Sequence, residues 1–203
     1  LFDNNDASPA ALNGLPTAYD YIRLGHPLSS ILEWVIATLN NQNPKNVISF
    51  SSKTIPILAI LRKNVLDHKN TKIVYTGDLP ECFDADLLRN IYGYQFELDC
   101  VENATDIGTF DGSTIFVSHQ DEMNAIDLNP NIDFFIGLHS HLGSILLVND
   151  ARNESYVSEI QHVRRRETIA MTPANALDAL KLLIDKSSVH IIKSDVQGNK
   201  ALV

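Results

Sequence analysis

From Leu28 to Val101, stretches with a helical apolar period alternate with short apolar runs of strand character. That alternation restricts the fold more than any other feature of the chain. Leu28, Ile31, Leu32, Val35, Ile36 and Leu39 recur at the three-then-four spacing of one helix face. Pro27 suits the first turn of that helix, and Asn40-Asn41 with Pro44 ends it. Asn46–Phe50 then reads as a short buried strand, followed by a helix carried by Ile55, Leu58, Leu61 and Val65. Lys72–Thr76 is a second strand and Gly77–Pro80 a loop. Asp84 can cap a helix over 85–92 that Gly93 stops, and Gln95–Val101 alternates like a strand with one exposed face. Strand, helix, strand in this order implies βαβ units, a mostly parallel sheet and helices on both of its faces.

Beyond residue 101 the strands come closer together. Thr114–Val117, Ile132–Gly137 and Ser144–Val148 read as strands, the last two separated by a possible turn at His139–Gly143. Thr172 caps a helix that opens on Pro173 and buries Ala176, Leu177, Leu180, Leu183 and Ile184, and Val189–Ile192 is a final short strand. Close strands imply that part of the sheet is mixed. The expected architecture is a three-layer α/β/α fold with a mostly parallel, partly mixed central sheet. A single α/β domain is expected over 26–203, behind an extended arm over 1–25 rich in Asn, Asp, Pro and Ala.

Composition narrows the function. With 44% hydrophobic residues in 203, the chain has enough apolar side chain for a sizeable core. Sixteen Lys and Arg against 25 Asp and Glu leave a formal net charge of −9, which argues against nucleic-acid binding and against a polybasic membrane contact. No apolar run approaches the roughly 20 residues of a membrane span, and no charged-then-apolar start marks a signal peptide. The expectation is a cytoplasmic protein with Cys82 and Cys100 as free thiols. The sequons at Asn103 and Asn153 then read as chance occurrences. An anionic small molecule is the expected ligand, and a homo-oligomer is one candidate assembly.

Ligands on such sheets bind beyond the carboxyl ends of the strands. That rule selects 51–54, 76–80, 118–122 and 138–142. Ser51, Ser52, Lys53 and Thr54 follow a strand and open a helix. Free N–H groups, hydroxyls and one ammonium make a candidate phosphate cup, although the glycine-rich stretch of a Walker loop is missing. His139 and His141 are two apart, a spacing that puts both rings on one face of a strand. With His119 and Asp121, and Glu122 beside them, they form an alternative zinc or iron site with an open position. Arg164, Arg165 and Arg166 read as a surface ion-pair network, and Trp34 as a core or partner contact. No GxSxG motif and no local Cys–His signature supports a nucleophile.

Leu1–Asn5, the run Val47–Thr54, Thr114–Ser118, Asp133-Phe134-Phe135 with Ser140-His141, and the stretch from His162 to Pro173 together resemble the large domain of fold-type I pyridoxal-phosphate enzymes, the class V aminotransferase and cysteine desulfurase group in particular. The resemblance spans most of residues 1–185. It implies their fold, with Ser51–Thr54 at the place of the phosphate cup. In that group a lysine directly after the histidine forms the Schiff base; here Leu142 stands there. Only about a dozen residues separate Glu122 from Phe134, so the strand carrying the aspartate for the pyridine nitrogen is missing. The chain is also too short for a complete enzyme of this group with its second domain. The resemblance therefore implies a degenerate module that does not bind pyridoxal phosphate covalently, but holds a phosphate-bearing small molecule or acts as a partner subunit. The alternatives are a metal-dependent hydrolase using His139 and His141, and a structural or interaction protein docking through 28–39.

Overall fold

The structure, a computed structural model, describes residues 25–121, 126, 128–149 and 153–184, with Ser8, Ala10 and Arg23. Most of the arm expected over 1–25, Glu122, and the strand expected at Val189–Ile192 lie outside the described residues.

Strands β1 (Val47–Phe50), β2 (Thr71–Tyr75), β3 (Glu97–Cys100), β4 (Ser113–His119), β5 (Phe134–His139) and β6 (Gly143–Val148) build a six-stranded sheet in the order β1-β6-β5-β4-β2-β3. Pairs β2–β3, β2–β4 and β4–β5 are parallel, while β6 runs antiparallel to both β1 and β5. Five strands therefore point one way and β6 alone runs against them, which makes the sheet mostly parallel and partly mixed. Along β1, β2, β4, β5 and β6 the side chains alternate between two cores. Ile48, Phe50, Ile115, Val117, Phe134, Ile136, Leu146 and Val148 face one side. Val47, Val74, Phe116, Phe135, Ile145 and Leu147 face the other.

Helices close both faces. α1 (Pro27–Leu39) and α5 (Pro173–Ile184) pack side by side on the second core; α2 (Ile55–Leu66) and α4 (Glu154–Glu167) cover the first, with Leu88 of α3 (Ala85–Asn90). The caps act as the sequence suggests: Asp84 accepts from Leu87 N at 2.8 Å, and Thr172 Oγ1 accepts from Asn175 N at 3.3 Å. The β4–β5 crossover holds no described helix. Instead Ile126, Leu128 and Ile132 lie in the α1/α5 layer and cover that part of the sheet.

In α2 and α5 the helix is as expected but the buried face is not: Val65 and Ile184 are 43% and 69% exposed, while Ile57, Ile60 and Ala179 are buried. Two further elements differ from the sequence reading. In α1 the buried residues are Ser29, Leu32, Ile36 and Ala37, whereas Ile31, Trp34 and Leu39 are 38%, 44% and 45% exposed. The stripe is turned because polar groups take inward positions. His26 Nδ1 accepts from Ser29 N at 3.1 Å, and Ser29 Oγ donates to His26 O at 2.9 Å. One turn later Glu33 is drawn toward β1. The second difference is α4, to which the sequence reading assigns no helix. Its charge-rich composition masks a narrow stripe of Tyr156, Val157, Ile160 and Val163. That stripe also holds Arg164, which is 6% exposed rather than part of a surface network.

Arg164 and Glu33 meet across the free edge of β1. Glu33 Oε1 accepts from Ser49 N at 2.8 Å, from Ser49 Oγ at 2.7 Å and from Arg164 Nη1 at 2.8 Å; Arg164 Nη1 also donates to Ser49 O at 3.2 Å. The side chains supply what a neighbouring strand would otherwise give, and so blunt an edge that could pair with another chain.

Candidate functional site

All five parallel strands end on one side of the sheet, and β6 begins there. That edge gathers Ser51–Thr54 after β1, Thr76–Asp78 after β2, His119–Asp121 at the end of β4 and Ser140–Leu142 between β5 and β6. The sequence could not place the ends of β4 and β5 side by side. The register does so, pairing His119 with Leu138 and His139 with Gly143.

The β5–β6 turn is shaped by its own histidine. His139, 1% exposed, accepts at Nδ1 from His141 N at 3.1 Å and from Leu142 N at 3.2 Å. Its ring proton therefore sits on Nε2 when it is singly protonated. Burial holds the imidazole below its usual range; Asp121 opposes this, and His141 and Lys53 add to it. Gly143 completes the turn at φ 122°, where a Cβ would lie 2.2 Å from Phe50 O. Only a glycine lets β6 start this close to β1.

Two charges clamp the tip of the turn. Lys53 Nζ donates to Ser140 O at 2.8 Å, and Asp121 Oδ1 accepts from Ser140 N at 2.8 Å. Burial lowers the Lys53 amine from its usual range against the pull of Asp121. Burial also works against the Asp121 charge, but the Ser140 N–H and hydroxyl, with His139 and His119, outweigh it and hold the carboxyl low.

The strand-to-helix turn after β1 is tied down on one side and open on the other. Ser51 N and Oγ donate to Ile169 O at 3.2 and 3.3 Å, and Ser51 Oγ lies 3.1 Å from Thr168 Oγ1. Ser144 Oγ donates to Ser52 O at 2.6 Å. Ser52 Oγ accepts from Thr54 N at 3.3 Å and Ile55 N at 3.2 Å, so it caps α2, while Thr54 makes no side-chain cap. Among the described residues, the N–H groups of Ser52 and Lys53 have no acceptor.

The histidines do not act as the metal reading requires. His141 lies in the turn rather than on β5, so the two rings do not share a strand face; their centroids are 6.5 Å apart at 60°. His139 Nδ1 is already engaged, and His119 Nε2 meets Asp78 O at 3.0 Å. Among the described residues no three His, Cys, Asp or Glu side chains could share one ion. Sequence reasoning missed Ser144 and Thr168, which position this edge. Glu33 and Arg164 carried a signal, each a charge set within an apolar stripe.

No family model and no curated protein matches the chain. Solved structures do. A Listeria monocytogenes protein assigned as an L-allo-threonine aldolase aligns over 88% of this chain and 63% of its own, at 14% identity and a TM-score of 0.54. Corynebacterium glutamicum MetB aligns over 87% and 57%, at 16% identity and a TM-score of 0.48. The chain thus spans less than two thirds of either length. The likeness is one of fold, that of the large domain of fold-type I pyridoxal-phosphate enzymes.

The resemblance read from the sequence implies pyridoxal phosphate, and at the position it assigns to the Schiff-base lysine the chain has no amine. Leu142 is 2% exposed and lies in the α1/α5 core with Leu32, Ile36 and Met171; it offers no amine. Its carbonyl is taken by Asn175 Nδ2 at 3.0 Å.

Proposed function

We propose that this chain is a pyridoxal-phosphate-enzyme-like module without that covalent chemistry, which binds a phosphate-bearing small molecule at the strand-end edge. The observation that carries the reading is the turn after β1. Two successive N–H groups, of Ser52 and Lys53, lack an acceptor among the described residues, and the Lys53 side chain carries a cation over the same edge to Ser140 O. Successive backbone donors with a cation form a concavity suited to an anion. The site must be local, because the net charge of −9 opposes anions at long range. Exposed His141 lies within electrostatic reach of the same edge.

Calorimetric titration with glycerol 3-phosphate and with inorganic phosphate tests this. Saturable heat that Lys53→Ala abolishes is the expected result. Heat unchanged in Lys53→Ala, or none in the parent protein, overturns it.

A further inference from the structure

We propose that the free edge of β3 is a docking site for an extended, basic segment of a partner protein, which adds to the sheet as a further strand. This surface lies at the opposite edge of the sheet from β1 and does not depend on the anion-binding reading above.

The two edges of the sheet are finished differently. β1 is closed by Glu33 and Arg164. β3 pairs with β2 alone among the described residues. Val101 N donates to Tyr75 O at 3.0 Å, which turns the backbone groups of Glu97, Asp99 and Val101 toward β2 and those of Leu98 and Cys100 outward. Just before them Arg89 Nη2 donates to Phe96 O at 3.0 Å and closes one end of the edge. Beyond it, no described residue hydrogen-bonds to the outward groups of Leu98 and Cys100. A lysine, a proline or a bulge would stop such an edge from pairing, and residues 96–101 contain none of them. Outward N–H and C=O groups in a row are a template for strand addition.

Charge decides the occupant. Residues 78–111, which lie between β2 and β4 and include β3, hold nine Asp and Glu against one Arg, so they carry −8 of the chain's −9. Eight of the nine acids are exposed; the ninth, Asp99, is partly buried and held by Lys72 Nζ at 2.8 Å. Exposed Glu97 has no cation partner among the described residues. A second copy would bring Glu97 and Asp99 of both chains together, and like charges on neighbouring strands destabilise the pairing. A segment carrying Lys or Arg is instead drawn to this edge. Side chains alternate along a strand, so one set from the added strand lies beside Glu97 and Asp99. The other set lies beside Leu98, which packs on the first core. The segment that fits therefore alternates basic with apolar residues.

A capped, fluorescein-labelled heptapeptide of alternating valine and lysine tests this by fluorescence anisotropy. The expected result is saturable binding, several-fold tighter than for the same peptide with glutamate in place of lysine. Binding should be lost when every peptide nitrogen is methylated, which keeps the charge but removes the donors. On binding, amide hydrogen exchange should slow several-fold at Leu98 and Cys100 and stay unchanged at Ser49, on the closed edge. Glu97→Lys, at an exposed position, should weaken binding several-fold while thermal unfolding stays as in the parent protein. Equal binding of the methylated peptide, or unchanged exchange at Leu98 and Cys100, would reduce the surface to an acidic patch and overturn the proposal. It is overturned too if the valine–lysine peptide does not bind. Protection of the same two amides that rises with protein concentration alone would assign the edge to a second copy, and so overturn it as well.

Discussion

Glu33 and Arg164, along the free edge of β1, direct their charges at each other and at both backbone groups of Ser49. Lys53 and Asp121, just past the end of the sheet, direct theirs at the two backbone groups of Ser140 without pairing tightly with each other. The first set is buried: Arg164 and Glu33 side chains are 7% and 16% exposed. The second is open, with the Asp121 side chain 63% exposed. Both use an acid and a base to hold one residue's N–H and C=O. In the closed set the hydrogen bonds serve the fold, and a ligand has no access. In the open set the same device holds a turn whose tip, Ser140 and His141, is exposed.

The sharpest way to break this contrast is Arg164→Met. It leaves Glu33 buried without its cation and Ser49 O without a donor, and removing one partner of a buried pair costs about 3–5 kcal/mol. Urea unfolding should show that loss. The double change Glu33→Leu with Arg164→Met should recover much of it, because no charge is then stranded. A loss below about 1 kcal/mol for Arg164→Met would place this pair with ordinary surface bridges and erase the distinction.

Ser52→Ala comes next. It removes the cap on Thr54 and Ile55 N–H, worth about 1 kcal/mol, and a thermal melt reads it.

A smaller and pH-dependent effect belongs to His139. Its folded-state pKa lies below the usual imidazole value of 6.5, so between the two the unfolded chain binds more protons than the folded one. Stability then rises with pH in that window, and it falls as pH drops below 6.5 until the folded pKa is reached. Chemical unfolding between about pH 5 and 7 should show this slope, and His139→Gln should flatten it. An unchanged slope would mean the turn does not depend on the unprotonated Nδ1.

The smallest stability effect is expected at the open set. Lys53→Ala should shift unfolding by no more than about 0.5 kcal/mol while removing phosphate binding. A large destabilisation there would make the Lys53 clamp as important to the fold as the Arg164 one and end the comparison.

The helices α2 and α5 were readable from period, but not which side of each faces the core, since Val65 and Ile184 are exposed and Ile57, Ile60 and Ala179 are buried; the strands surfaced as short buried runs. Strand order was not readable, because pairing β1 with β6 depends on contacts between distant parts of the chain that no local pattern records. α4 escaped notice since three arginines and three glutamates diluted its stripe. The face of α1 was misjudged where Ser29 and Glu33 supply hydrogen bonds that an apolar count ignores. At the site, the residue types at 51–54 and 139–141 were visible as candidates. Their roles were not, because the difference between a ligand-binding nitrogen and one holding a turn is a matter of which backbone group lies within 3 Å or so. His139 Nδ1 shows it: two N–H groups of its own turn occupy it.

The position of β6 also bears on how the chain is assembled during synthesis. Among the described strands β1 is made first, yet β6, with which it pairs, is made last. Loop closure across nearly the whole fold must precede that pairing, which slows folding. Until Ser144 can sit beside Phe50, β1 exposes backbone groups on both sides, since Glu33 is available early but Arg164 is made later still. A nascent chain stopped before β6 thus carries an apolar, unpaired strand, the kind of segment that chaperones shield. The edge becomes safe only when α4 delivers its arginine.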